Sequence, residues 1–266
     1  MVKKENQSND QGGFVASRGA LGAIVDFQLQ FEKSLTALKI RNTHLQKNGT
    51  PDSETERLLK ESELFKKEQL LKPVARLLAV HPAYPWFSRI KGIGNENIAK
   101  VITFIDINKC NTISGLWKYA GYACDENGQA DRPHKGEKLS FNKELKMMCY
   151  RLGVSLLKAH GISTAKGKEG TSFGIYYEKE YAKEVARAGR LGIKIADADK
   201  IPKGKESEYM NSLHVHNRAF RKMIKLFLGC LWLYWRKVEG LPVREPFSIE
   251  KLGHTTLIEP EEMFDR

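Results

Sequence analysis

Apolar residues recur at Leu21, Ile24, Phe31, Leu35, Leu38 and Leu45, a seven-residue a/d spacing that predicts a long amphipathic helix over about residues 16–46. Gln28 and Asn42 occupy two of the a positions. A polar residue there either fixes the register of a helix pair or marks where the seam opens to solvent, and both readings stand. Asn48-Gly49-Thr50-Pro51 breaks the helix, and Ser53-x-x-Glu56 has the form of a capping box that starts a second one. Leu58, Leu59, Leu64, Phe65, Leu70 and Leu71 give that helix its apolar side until Pro73 kinks or ends it. The pattern predicts an antiparallel helical hairpin over residues 17–80, closed on itself or serving as a homodimerisation arm. Residues 1–16 are polar, with too little apolar surface to offset the entropy of ordering, and read as a disordered tail.

Beyond residue 80 the pattern changes. His81-Pro82-Ala83-Tyr84-Pro85-Trp86 is a proline-restricted elbow leading into Ile90-Lys91-Gly92-Ile93-Gly94. That stretch, followed by Asn95 and the apolar positions Ile98, Val101, Ile102 and Ile105, reads as the turn and second helix of a helix-hairpin-helix. Asn111-Thr112 or Ser114 can cap a short helix that Gly121 closes, and Asn127-Gly128 suggests a tight turn between two short strands. Ser140 or Asn142 opens a helix with Leu145, Met148, Cys149, Leu152 and Leu156 on its core face. Residues 211–238, almost wholly apolar in their second half, predict the central core helix. The expected architecture is mainly α: the hairpin, then a helix-hairpin-helix-containing domain over residues 81–245 with one small β-hairpin, and a C-terminal tail over 246–266.

Composition adds a partner class. The 266 residues carry a formal net charge of +12. The cations concentrate where the turn lies: 13 lysines and arginines face 7 carboxylates in residues 75–159, and 14 face 8 in 160–225. In residues 226–266 the counts are 5 against 7. A basic excess beside a glycine turn whose N–H groups can hold an anion points to nucleic-acid phosphate. Four cysteines without a C-x-x-C pair or a secretory leader point to a reduced, cytoplasmic setting, nucleoid-associated if DNA is bound. The apolar run at residues 226–235 is far shorter than the roughly 18–20 residues that span a bilayer, so no membrane is expected. Tyr176, Tyr177 and Tyr181, interleaved with charged residues, either stack on bases or pack inward, which is the commoner arrangement.

The order of these features resembles the C-terminal domain of the IS110/IS116/IS902 family of transposases. Ile90-Lys91-Gly92-Ile93-Gly94 resembles the family's iPGIG turn, and Leu116-Trp117-Lys118-Tyr119-Ala120-Gly121-Tyr122 its Laa-YaGL helix. Ser140-Phe141-Asn142-Lys143 resembles its SKrGn, and Phe173-Gly174-Ile175-Tyr176-Tyr177-Glu178 its fYerl, with residues 183–210 as an insertion. The resemblance implies a role on DNA in recombination by a mobile genetic element. It does not reach the family's nuclease-like domain, because residues 1–80 read as a tail and two helices. The family's nucleophilic serine aligns with Asn127, whose amide cannot attack a phosphodiester as a hydroxyl can.

The expected function is therefore DNA binding through phosphates without catalysis of its own, with RNA as the other polyanion. Expected contacts are Lys91, Gly92, Ile93, Gly94, Asn95, Asn97 and Lys100 at the turn, extended by Arg132, Lys135, Lys138, Lys143 and Lys146. Two alternatives stand beside it: a recombinase subunit working with a separate nuclease, for which Ser140 is the weak catalytic candidate, and an interaction protein that uses the hairpin. His214 and His216 make a poor metal pair, His134 is at most a phosphate contact, and Asp125/Glu126 and Asp197/Asp199 lack two-metal spacing, so neither metal nor cofactor is expected.

Overall fold

The computed structural model describes residues 10–124, 128–130, 135–136, 138–244 and 258–265, with backbone only for residues 10–18. The chain is mainly α. Its helices are α1 (Asp10–Lys47), α2 (Ser53–Phe65), α3 (Lys72–Ala79), α4 (Tyr84–Phe87), α5 (Asn95–Thr103), α6 (Ile113–Tyr119), α7 (Lys143–Ala165), α8 (Ser172–Arg190) and α9 (Ser212–Val238). Strands β1 (Lys194–Ala196) and β2 (Tyr209–Asn211) pair in parallel, with Ile195 opposite Met210. The chain divides into two units: residues up to Tyr84 together with Asn95–Phe104, and Pro85–Gly94 together with the residues from Ile105 onward.

In the first unit, α1 packs on α2, α3 and α5. Its seam is Leu21, Gln28, Leu35 and Asn42, seven residues apart and all buried, with Val25 beside them. Ring contacts Phe27–Phe65 at 6.4 Å and Phe31–Phe65 at 5.3 Å, with Lys39–Glu63 at 2.6 Å, tie α1 antiparallel to α2. The hairpin thus closes on itself. Helix α1 begins at Asp10, so residues 10–16 extend it rather than forming a tail; adding residues to an existing helix costs far less than nucleating one. Residues 1–9 lie outside the described residues. The cap of α2 is Asp52, whose side chain accepts from Thr55 N–H, one residue before the expected Ser53. Pro73 does not end the helical path. The turn before it widens to π geometry over Lys66–Leu71, and its missing N–H falls in the first turn of α3.

The two polar seam residues are enclosed, Gln28 at 0% and Asn42 at 7% exposure, so the seam does not open to water at either. Gln28 Nε2 donates to Glu32 Oε1 at 2.8 Å, but Gln28 Oε1 and Asn42 Oδ1 have no hydrogen-bond partner among the described residues. An unpaired buried carbonyl costs about 1–3 kcal/mol. Asn42→Leu, of nearly equal shape, is therefore expected to raise stability by about 1 kcal/mol, read as a higher denaturation midpoint at unchanged m value. A lower midpoint would mean that the amide is held by partners that leucine cannot replace.

Helix α5, expected in the second domain, belongs to the first unit. Ile98, Ala99, Val101 and Ile102 are all buried, and α5 packs on α1 and α3.

In the second unit α9 is the core element: Phe227, Leu228, Cys230, Leu231, Trp232 and Trp235 are buried, and α6, α7 and α8 pack against it. Leu213, at its N-terminal end, is exposed. Trp86 lies 5.6 Å from Phe227 and donates from Nε1 to Pro260 O at 2.8 Å. Buried Arg236 donates to Ile107 O at 2.7 Å and to Pro242 O at 2.9 Å, satisfying its charge with carbonyls. Helix α8 continues to Arg190, so the segment that began as an insertion at residue 183 separates only after that helix ends. In place of a β-hairpin near residue 127 there is one antiparallel bridge, Cys124 to Ala130, with Gly128 at φ +72°. Asn127 itself lies outside the described residues.

Candidate nucleic-acid interface

The glycine turn is built to pack. Gly92 has φ +92°, and a Cβ there would stand 2.9 Å from both Ala159 Cβ and Ser155 O on α7. The turn's anion is the chain's own: Lys91 N–H donates to Asp265 Oδ2 at 2.6 Å, and Ser172 N–H, at the start of α8, donates to Asp265 Oδ1 at 2.7 Å. Asp265 N–H donates to Arg89 O at 3.1 Å, and the Arg89 guanidinium lies 4.0 Å above the Phe264 ring. A carboxylate thus stands where phosphate was expected, and Gly92 serves the close approach to α7. Ile93 is half-buried, its N–H directed to Ile90 O at 3.4 Å, and Gly94 is exposed. Asn95 and Asn97 stand in the first turn of α5, in the other unit.

Lys100 faces the interior. It is 2% exposed, and its Nζ donates to Glu32 Oε2 at 2.7 Å, Glu32 Oε1 at 2.8 Å and Glu96 Oε1 at 2.9 Å. Lys66 adds a 3.0 Å contact to each of the same two carboxylates. This is a closed charge network inside the first unit.

Of the extending cations, Lys135, Lys138 and Lys143 are exposed, and Arg132 lies outside the described residues, as do Asp125, Glu126 and His134. Lys146 belongs to a different kind of site. Its Nζ is 4.1 Å above the Phe141 ring, and its stem crosses Gly121, where φ is +72° and a Cβ would meet Phe141 and Lys146 atoms at 2.8 Å. Two further cations come from α9, one turn apart. Arg221 lies 5.6 Å from the Tyr122 ring and donates to Ala123 O at 3.1 Å. Lys225 Nζ lies 4.2 Å above the Trp117 ring, and Trp117 Nε1 donates to Lys225 O at 2.9 Å. Tyr122 OH donates to Lys146 O at 3.2 Å. Asn142 caps α7 through Glu144 and Leu145 N–H and ties it to α6, its own N–H donating to Tyr119 O at 2.8 Å. These bonds bring Lys118, Lys143 and Lys146 to the same neighbourhood.

The charges of α9 divide by partner. Lys222 contacts Glu180 at 2.9 Å and Glu184 at 2.8 Å, and Arg218 contacts Glu184 at 3.3 Å. Burial raises both carboxyl pKa values, but the hydrogen bonds and charges from Lys222 and its neighbours outweigh that and hold them low. Beside them on the same side of the helix, Arg221 and Lys225 have no carboxylate partner among the described residues. Burial lowers the Lys225 pKa, and the charges of Arg221 and Lys222 lower it further, against an opposing effect from Cys124. An ammonium so placed gains from an anion. The sequence reading left out Trp117, Arg221 and Lys225; the signal for the pair on α9 was their i,i+4 spacing between apolar positions, which by itself reads as a solvated flank.

Ser140 is exposed at a bend, two residues before the Asn142 cap. Asp197 pairs with Lys200 at 2.8 Å and accepts from Ser212 Oγ at 2.6 Å, while His216 packs with Tyr177. Among the described residues no group of three or more His, Cys, Asp or Glu is placed to hold a metal, and no helix is long and apolar enough to cross a membrane.

Fold and site define a class: a mainly helical, two-unit chain carrying a cation-on-aromatic surface. Compared with family models, curated proteins and solved structures, it matches none of them, so the transposase resemblance rests on motif order alone.

Proposed function

We propose that the chain binds nucleic acid through its phosphates, at the surface where Lys146, Arg221 and Lys225 stand over Phe141, Tyr122 and Trp117, with Lys118 and Lys143 widening the basic area. The observation that carries this reading is the contrast along α9, where Lys222 and Arg218 are neutralised by glutamates while Arg221 and Lys225 lack a carboxylate among the described residues. The rings limit the motion of the cations without cancelling their charge, which leaves them ready for a phosphate oxygen. DNA is the polymer that the transposase resemblance implies. No catalytic step is part of the reading.

The test is the salt dependence of binding to a labelled oligonucleotide by the wild-type chain and the Arg221→Gln/Lys225→Gln double variant. Wild-type affinity should fall steeply with salt, and the double variant should bind at least about 10-fold more weakly near 100 mM salt, with a log–log slope shallower by about 2. Equal slopes and affinities within about twofold would reject this surface.

A further inference from the structure

Beside the cations runs a ladder of rings contributed by three helices. Tyr150, one turn after Lys146 on α7 and 51% exposed, meets the buried Phe220 ring at 5.2 Å. On α9, one turn before Phe220, His216 stacks on it at 5.5 Å with the planes 26° apart. Tyr177 of α8 lies 5.6 Å from His216, its OH 2.7 Å from His216 Nδ1, and Tyr181 follows 6.0 Å from Tyr177. His216, Tyr177 and Tyr181 are half-buried.

The ladder adjoins the cations at two places. Phe220 is the residue before Arg221, and Tyr150 follows by one turn of α7 the Lys146 whose carbonyl accepts from Tyr122, the ring under Arg221. Core packing explains Phe220, which is enclosed, but not Tyr150. Half of Tyr150 faces solvent while one edge is held against a rigid neighbour. The Tyr177 hydroxyl is already engaged by His216, so its ring offers a face without a competing polar demand.

We propose that this surface takes single-stranded nucleic acid, with phosphates at Arg221 and Lys225 and an unpaired base stacked on Tyr150 at the head of the ladder. The inference rests on the phosphate-binding reading above and adds the strandedness of the ligand. A duplex keeps its base faces stacked on one another and can offer only phosphates, sugars and groove edges, which an exposed ring face does not read. A single strand offers both a backbone charge and a free π face, and a phosphate path beside a ring platform matches that pair. Stacking does not separate DNA from RNA, so both polymers are ligands of the same chemistry.

The experiment measures fluorescence anisotropy of the full chain with a 20-nucleotide dT strand, a 20-nucleotide rU strand and a 20-base-pair duplex at one salt concentration. Four proteins are compared: wild type, Tyr150→Ala, Tyr150→Phe and Arg221→Gln/Lys225→Gln. Tyr150→Ala should weaken single-strand binding by about 5- to 100-fold while Tyr150→Phe stays within about twofold of wild type, because the ring and not the hydroxyl is used. Duplex binding should be weaker and unmoved by either Tyr150 variant. Single-strand binding unchanged in Tyr150→Ala, or lost equally for duplex and single strand, overturns the inference and leaves the phosphate surface standing if the double variant still binds weakly. A Tyr150→Ala loss without any loss in the double variant rejects the phosphate surface instead. A loss seen with either dT or rU supports the platform.

Discussion

Lys100→Met should destabilise the first unit by about 3–5 kcal/mol, read as early loss of helical signal in a denaturant titration, with nucleic-acid affinity below that transition unchanged. The size of the effect comes from what remains. Lys100 is almost fully enclosed, and its ammonium holds both Glu32 oxygens and one Glu96 oxygen. Without it, two carboxylates on α1 and α5 share only Lys66. Removing one partner of a buried pair costs more than the pair ever contributed, because the other charge stays desolvated. The acid side of the same network has a definite sign. Burial raises the Glu32 pKa, but the hydrogen bonds it accepts from Lys100, Gln28 and Lys66 outweigh it and bring the value to about 2. A carboxylate depressed in the folded chain stabilises it fully above the ordinary glutamate range and loses that contribution as pH falls toward its folded value. Wild type should therefore lose stability between about pH 4 and pH 2, and Lys100→Met should lose less over that window. An Lys100→Met midpoint equal to that of wild type, or a weakened nucleic-acid affinity, would return Lys100 to the role of a surface contact.

Gly92→Val should cost about 3–5 kcal/mol in the second unit, whereas Gly94→Ala should stay within about 0.5 kcal/mol of wild type. The two glycines of the turn look alike in sequence and differ in what surrounds them. At Gly92 the backbone is in the left-handed region, which a β-branched residue enters only with strain. A Cβ there would also press on Ser155 O, a backbone atom of α7 that cannot step aside. At Gly94 nothing lies within 4 Å of the position a Cβ would take. Thermal unfolding of the two variants checks the contrast, and a mild Gly92→Val effect would show that α7 yields to the turn. Loss of nucleic-acid binding in Gly92→Val would then be read through its stability and not as a lost phosphate contact.

How legible the chain was varies with the kind of feature. The long helices were readable because burial of one face leaves a periodic trace: Leu21, Gln28, Leu35 and Asn42 mark the seam of α1, and Leu145, Met148, Cys149, Leu152 and Leu156 mark that of α7. The Thr112 and Asn142 caps were readable because a short side chain bonding to its own next turn is a local event. Which unit α5 belongs to was not readable, since an apolar helix face does not name its partner. The candidate site divides the same way. Lys143 and Lys146, expected as contacts from sequence, are one exposed and one over a ring. Lys100, on the same grounds of charge and position, proved to be an interior ion-pair partner, because a lysine at helical spacing reads alike whether water or Glu32 receives it. Arg221 and Lys225 went unseen inside a helix judged by its apolar face.

What the amino-acid sequence by itself determined is the class of structure, the extent of most helices, two candidates for each of the α6 and α7 caps and a basic excess over residues 75–225, all of which follow from forces acting within a few turns of chain. Only the tertiary structure decided where charge is neutralised and where it is left to act. Asp265 reaches the Lys91 and Ser172 amides, Glu32 reaches Lys100, and Glu180 and Glu184 reach Lys222, while Arg221 and Lys225 stand over Tyr122 and Trp117. The physical reason is that a charge is cancelled by proximity in space, and the residues joined by these contacts lie from 38 to 174 positions apart along the chain.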